Sequence, residues 1–341
     1  MRKIFLTLII AVSGLFVAIP AAAQTDAGFR NYMQELRAQA IAEGVRPETL
    51  DRIIPTLSYN PRVIRLDRNQ PGGSFDAPIP PFAPYQARHV NPTRINGGVA
   101  TYRRVRSQLR DIEARTGVPG KIAIAIYGHE TGYGRITGDF DLPRSLATLA
   151  YEGRRRELFA GEFIAAMKMI DRGVPRDRLI GSWAGAFGYP QFLPSVYLRL
   201  AIDGDGDGRA EIWRSEADAL ASIGNYLENA GWRRGQPWGV AVRVPSSLDR
   251  TAIANRTDAT RCPRVMERHS RWLSMAEWRE LGIRPRNGVW PDDRIMATLL
   301  EPDGPGNTAY LLTNNYRVIL DYNCSNFYAL SVGLLADEIV R

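Results

Sequence analysis

Tyr127-Gly128-His129-Glu130-Thr131-Gly132-Tyr133-Gly134 closes an apolar segment with one glutamate set among glycines and aromatics. A glutamate at the buried end of a helix, facing a cleft, has its charged form poorly solvated. Its pKa then climbs from ~4.3 towards the range in which it can donate a proton at neutral pH. The glycines let a bulky polymer approach the backbone, and tyrosines can stack on sugar faces. The plainer alternative is a solvated helix-end glutamate in a glycine-rich turn, the commoner fate of this residue type. His129-Glu130 does not make a zinc-protease helix, because that motif needs a second histidine three residues after the glutamate and position 133 is tyrosine.

Outward from this stretch the periodicity is mostly helical. Just upstream, Ile122, Ile124 and Ile126 alternate as in a strand, whereas Ile122 and Ile126 share a helical face and the alanines between them favour helix. That segment reads both ways. Helix-period apolar positions run from Phe29 to Leu57 and again from Ala100 through Val105, Leu109 and Ile112. The proline-rich stretch between them, residues 71–92, is expected to run extended with no regular helix. Residues 171–179 and 217–227 read as parts of helices. After Trp238, residues 240–244, 296–300, 309–312 and 318–320 read as short strands separated by turns such as Pro302-Asp303-Gly304-Pro305-Gly306. Residues 327–339 return to helix. The expected class is mainly α (α+β), with a small β-rich section before the final helix.

Bulk properties narrow the setting. Arg2 and Lys3, the apolar run to Ile19 and the Ala21-Ala22-Ala23 site form an export signal, too short and too early broken by Pro20 for a spanning helix. No cysteine stands near the cleavage site, so a lipid-anchored product is not expected. The formal net charge of +8 falls by two when the signal leaves. A basic surface suits a polyanionic partner, but no nucleic-acid-binding module is present. Cys262 and Cys324 are the only cysteines; in an oxidising compartment they form one disulfide, or else they are two buried thiols. With three scattered histidines they offer no zinc spacing.

The downstream context decides between the two readings of Glu130. Ser182-Trp183-Ala184-Gly185-Ala186-Phe187-Gly188 and Pro190-Gln191-Phe192-Leu193-Pro194-Ser195 concentrate small residues, aromatics and amides. With residues 127–134, 145–151, the Asp203–Gly208 repeat, Gly231-Trp232, Tyr322-Asn323, Tyr328 and Asp67-Arg68-Asn69-Gln70-Pro71, they come in the order of one family. The chain resembles the membrane-bound lytic murein transglycosylase B family, of which soluble periplasmic members are known, over nearly its whole mature length.

The resemblance implies a lysozyme-like helical core with Glu130 as catalytic acid, then base. It implies cleavage of the β-1,4 bond between N-acetylmuramic acid and N-acetylglucosamine of peptidoglycan, leaving 1,6-anhydro ends. A hydrolytic muramidase, a catalytically inactive peptidoglycan-binding protein and a calcium-dependent scaffold are the alternatives. Substrate contacts carry over to Ser182, Gln191, Phe192, Tyr226, Tyr322 and Asn323. Arg154 and Arg155 resemble a pair that meets stem-peptide carboxylates, against the plainer reading of a solvated basic face. Asp139 and Asp141 are given structural work, such as capping.

Asp203, Asp205, Asp207 and the Arg209 carbonyl match the opening of a calcium loop, with Gly208 at the sharp turn. Arg214 stands where the loop's glutamate belongs, and the resemblance points to Asp218 in its place. A structural calcium, or sodium, is expected there, and no organic cofactor. The division that follows is 1–23 export signal, 24–99 N-terminal helical lobe and proline-rich connector, and 100–237 catalytic core with the calcium-like loop. A small β-rich subdomain takes 238–310, and 311–341 returns to the core. Expected partners are peptidoglycan glycan strands and a cell-wall synthesis or remodelling complex, without nucleic acid and without a transmembrane anchor once the signal is removed.

Overall fold

The computed structural model describes residues 21–70, 79–256 and 259–341, with side chains from Asp26 onward. The expected export signal lies outside these residues, apart from the backbone of Ala21–Ala23. Three helices come first: α1 (Ala21–Ala42), α2 (Pro47–Ile53) and α3 (Pro61–Arg68). Then follow α4 (Phe82–His89), α5 (Pro92–Arg104), α6 (Arg106–Thr116) and α7 (Gly120–Thr131). A short pair, β1 (Phe140–Asp141) and β2 (Ile180–Gly181), brackets α8 (Leu142–Glu152) and α9 (Arg156–Asp171). Next are α10 (Pro194–Leu200), α11 (Glu216–Asn229) and β3 (Gly239–Arg243). The β-rich part adds α12 (Pro263–Met266), β4 (Leu273–Ser274), α13 (Met275–Glu280), β5 (Arg284–Pro285), β6 (Met296–Leu300) and β7 (Ala309–Leu312). The chain closes with α14 (Asn314–Tyr322) and α15 (Asn326–Ile339). The fold is mainly helical with a small antiparallel sheet before the last helices, as the class read from sequence required.

Proline explains several helix starts. Pro47, Pro61, Pro92 and Pro194 sit in the first turns of α2, α3, α5 and α10, where the missing N–H has no bond to lose and φ is already set. The same rule corrects the proline-rich stretch. Within residues 79–92, Phe82–His89 is helical, and Pro84 falls in its first turn; residues 71–78 lie outside the described ones. Two further readings change. Helix ends at Asp171, with Gly173 at φ 95 and Pro175 behind it, so residues 171–179 form a turn and a 3-10 helix. Val318, Ile319 and Leu320 lie in α14 rather than a strand, capped by Thr313, whose side chain accepts from Asn315 N.

Helix α7 resolves the ambiguous segment. Ile122, Ala123, Ile124, Ala125 and Ile126 are all at most 1% exposed, so no polar face marks the helical period. Packing on α5, α11 and α15 covers it from several sides. It runs through a central apolar cluster with Leu220, Ile319 and Leu330. A second cluster joins α1–α3 to α8 and α9, around Leu36, Leu146 and Phe163. Tyr226 and Tyr322 pack against both clusters and join them. Strands β3–β7 form an antiparallel sheet in the order β4-β6-β7-β3-β5, with Leu311 registered against Val240 and Leu299. Trp278, Met275 and Ile283 fill a third cluster beneath it. Cys262 and Cys324 are disulfide-bonded, Cα to Cα 5.6 Å, tying the β-rich part to the end of α14.

Candidate active site

Glu130 sits in the last turn of α7, which stops at Gly132 in the left-handed region. Tyr133 also has positive φ, and its ring returns against Gly128, where an added Cβ would lie 2.6 Å from the ring. The Tyr133 hydroxyl donates to Arg94 O at 2.7 Å, and the Thr131 hydroxyl accepts from Gly134 N at 3.0 Å. The glycines therefore serve a tight turn that fixes where the glutamate points. Tyr328, on α15, donates its hydroxyl proton to Glu130 Oε1 at 2.6 Å. Burial pushes the Glu130 carboxyl up to about 7, against the opposing pull of that hydrogen bond.

The adjoining His129 is held neutral, its pKa driven down to about 3 by burial. Its Nδ1 lies 2.9 Å from Ala125 O. A carbonyl only accepts, so Nδ1 carries the proton and Nε2, 2.7 Å from Ser331 Oγ, accepts. Tyr85 on α4 stacks on His89 at 3.9 Å, and its hydroxyl bonds Ser331. Tyr85 and Tyr328 are site residues that reading by motif passed over. Tyr85 lay in the stretch taken as extended, and Tyr328 carried a motif match but no assigned role.

Of the expected substrate-contact residues, Tyr322 lies close enough to Glu130 to feel its charge, and it belongs to an aromatic group. Phe192 packs on Tyr226 and Tyr322, with centroids at 5.8 and 6.0 Å, and those two tyrosines meet edge-on at 4.8 Å. Their hydroxyls are taken by Asp321 O and Pro190 O, so the rings offer faces. Gln191 adopts φ 52 and donates to Gly188 O and Thr137 O. Ser182 Oγ accepts from Ala186 N at 3.0 Å, and Asn323 is exposed at the end of α14. Arg154 and Arg155 stand elsewhere: both donate to one oxygen of Asp67, at 2.7 and 2.9 Å, whose side chain is 3% exposed. Asp67, quoted above without a role, is thus the buried acid of a structural triad, and both guanidinia remain half-exposed. Asp141 caps α8, as expected, by accepting from Arg144 N.

The acidic loop folds onto α11. Asp203, Asp205 and Asp218 bring carboxylate oxygens within 4.8 Å of one another. Asp203 accepts from the Gly206 and Gly208 amides, and buried Asp218 from Gly204 N and Glu211 N. Burial, with the charges of Asp205 and Asp203 added, raises the Asp218 pKa. A divalent oxygen-seeking cation fits this donor set. The expected ligand Asp207 is not one of the trio, and its carboxylate accepts from the Arg209 amide at 2.9 Å.

A buried acid in an aromatic cleft suits sugar-bond chemistry, and comparison with known proteins agrees. The family described as transglycosylase SLT domain matches residues 28–337. The chain belongs to that family. This SLT-domain transglycosylase is 29% identical over 313 residues to membrane-bound lytic murein transglycosylase B of Escherichia coli, covering 91% of this chain and 78% of the relative. It superposes on SltB3 of Pseudomonas aeruginosa, solved with NAG-anhNAM-pentapeptide, with a TM-score of 0.81 and 39% identity over 92% of this chain and 79% of that one. Slt35 of Escherichia coli, solved with calcium, superposes with a TM-score of 0.72 and 26% identity, covering 92% and 93%. The enzyme is accordingly a lytic transglycosylase of peptidoglycan, a lyase acting on polysaccharide.

Proposed function

We propose that Glu130 is the sole acid/base of this transglycosylase and cuts the MurNAc–GlcNAc β-1,4 bond without water. One observation carries the reading: burial brings its carboxyl to about 7 while Tyr328 holds one oxygen, and no second carboxylate is among the groups that shift it. Such a group serves as acid and, once ionised, as base near neutral pH. Glu130 gives its proton to the glycosidic oxygen as that oxygen's bond to C1 breaks. The carboxylate then takes the proton of the muramoyl C6 hydroxyl, whose oxygen bonds C1 and closes a 1,6-anhydro ring. The proton returns to where it began and no water is consumed. Ordinary glycosidases need a second carboxylate for nucleophile or water; an internal hydroxyl removes that need, with the 2-acetamido group able to steady the cationic carbon.

In this reading Tyr226 and Tyr322 present ring faces to sugars, Phe192, 3% exposed, backs them from the core, and Ser182, Gln191 and Asn323 supply hydrogen bonds. Arg154 and Arg155 keep their outer N–H groups for stem-peptide carboxylates beyond their bonds to Asp67. Asp203, Asp205 and Asp218 would hold a calcium ion, or sodium, whose chemistry is structural: it neutralises their repulsion and ties the loop to α11. The export signal and the polymer substrate put the workplace in the periplasm, in the company of a cell-wall synthesis or remodelling complex. Among the described residues no helix is long and apolar enough to cross a membrane.

Digestion of purified sacculi with mass analysis of the products tests the proposal. Anhydromuramic ends are expected; reducing muramic ends would show that water attacks and make the enzyme a hydrolytic muramidase. Glu130→Gln should lower turnover by about 100-fold or more, and full activity in that variant would remove Glu130 from its role.

A further inference from the structure

Apart from the Glu130 cleft, the start of β3, the loop after β5, and α15 enclose a cavity of about 710 Å³. None of the cleft residues named above lines it. Three of its lining groups are Trp290, Tyr310 and Arg286, and Trp290 also packs on the third apolar cluster. Trp290 has the Arg279 guanidinium over its ring at 5.0 Å, and Arg279 itself is not part of the cavity wall. The indole is thus held from behind. Tyr310 is 3% exposed, yet its hydroxyl makes no hydrogen bond to any described residue. The oxygen is not among the buried polar atoms left without a partner, so it opens to the cavity. Arg286 donates to Thr308 Oγ1 at 2.7 Å but pairs with no carboxylate among the described residues, and its charge reaches the Tyr310 hydroxyl.

Each acid of the same wall has a cationic partner. Asp337 accepts from Lys121 at 2.8 Å and from Trp238 Nε1 at 3.1 Å, Glu338 pairs with Arg341, and Asp292 with Arg294 at 3.0 Å. What the wall leaves open is one positive charge, one phenol and one indole. That set matches a pyranose bearing a carboxylate. A neutral sugar would leave Arg286 unanswered, and a simple anion would leave Trp290 uncovered.

We propose that this cavity is a second ligand site, taking a carboxylate-bearing sugar with its ring on Trp290, its carboxylate at Arg286 and a polar group at the Tyr310 hydroxyl. The volume lies within the range of small-molecule sites. In cell-wall material the carboxylate comes either from a free lactyl group or from the peptide attached to it. Such a site would keep the enzyme on wall material or on its fragments while the cleft turns over, and it does not depend on the chemistry assigned to Glu130.

The test uses the full chain with Glu130→Gln, so that nothing is cleaved, labelled with 5-fluorotryptophan and followed by ¹⁹F NMR. Trp290→Phe assigns the Trp290 resonance, and Trp183, beside Ser182, reports on the cleft. The probes are N-acetylmuramic acid, a GlcNAc–MurNAc-pentapeptide and neutral chitotetraose. The Trp290 resonance should shift saturably with at least one of the acidic probes, and which of them moves it names the source of the carboxylate. Chitotetraose should bind there at least about tenfold more weakly, and Arg286→Ala should abolish the difference, as loss of a hydrogen bond to a charged group requires. A Trp290 resonance unmoved at concentrations that saturate Trp183, equal binding of chitotetraose, or an indifferent Arg286→Ala would each overturn the proposal.

Discussion

Burial and one hydrogen bond pull the Glu130 carboxyl in opposite directions, and burial wins. Since the acid form is needed to start the reaction, turnover should fall as pH rises through about 7. Tyr328→Phe removes the contact that lowers the pKa, so the falling limb should move to higher pH, with activity down about tenfold from lost positioning. A pH–rate profile checks both, and a limb that stays in place or moves down would contradict the arrangement. The raised pKa also carries a stability sign. A carboxyl that binds its proton more tightly folded than unfolded costs nothing below ~4.3, and its full cost is felt above about 7. Glu130→Gln should therefore stabilise the fold at pH 8, by up to about 3 kcal/mol, and by much less at pH 4.5. Denaturant melts at the two pH values would show it.

At the scale of elements, the acidic loop and helix α7 illustrate opposite fates of sequence reasoning. The alternating aspartates announced themselves, and Asp203, Asp205 and Asp218 do converge. Chelation should lower the melting temperature of protein prepared in calcium. At a hundredfold excess over the dissociation constant the ion would contribute about 2.7 kcal/mol. Asp218→Asn should erase the response, and a midpoint indifferent to chelator would remove the ion from the account. Helix α7 was unreadable for the reason that makes it central: every side is covered, so nothing polar marks a period. The helix at Phe82–His89 was hidden differently, because Pro84 was read as a breaker when it occupies a first turn. Val318-Ile319-Leu320 reads as a strand because all three residues are buried and mark no helical period, and the Thr313 cap starts a helix there instead.

Across the whole molecule, the site is assembled from distant pieces: Tyr85, Glu130, Phe192, Tyr226, Tyr322 and Tyr328. Motif order indicated that many of these belong together; which one touches the carboxyl depended on how α15 docks, and local patterns hold no record of that. The Cys262–Cys324 bridge spans 62 residues of sequence and fastens the β-rich part to the end of α14, next to Asn323. Replacing both cysteines by serine should cost about 4 kcal/mol by loop-closure entropy, read as a lowered denaturation midpoint that reductant no longer changes. A double variant as stable as the parent would show the bridge to be idle. The Tyr328–Glu130 hydrogen bond has a consequence in time as well as in space. Glu130 is made early and its partner late, so the acid meets its setting only once α15 has emerged and docked. A chain made only as far as β7 holds Glu130 in a pocket without Tyr328, and under the proposed mechanism lytic activity waits for α15 to dock.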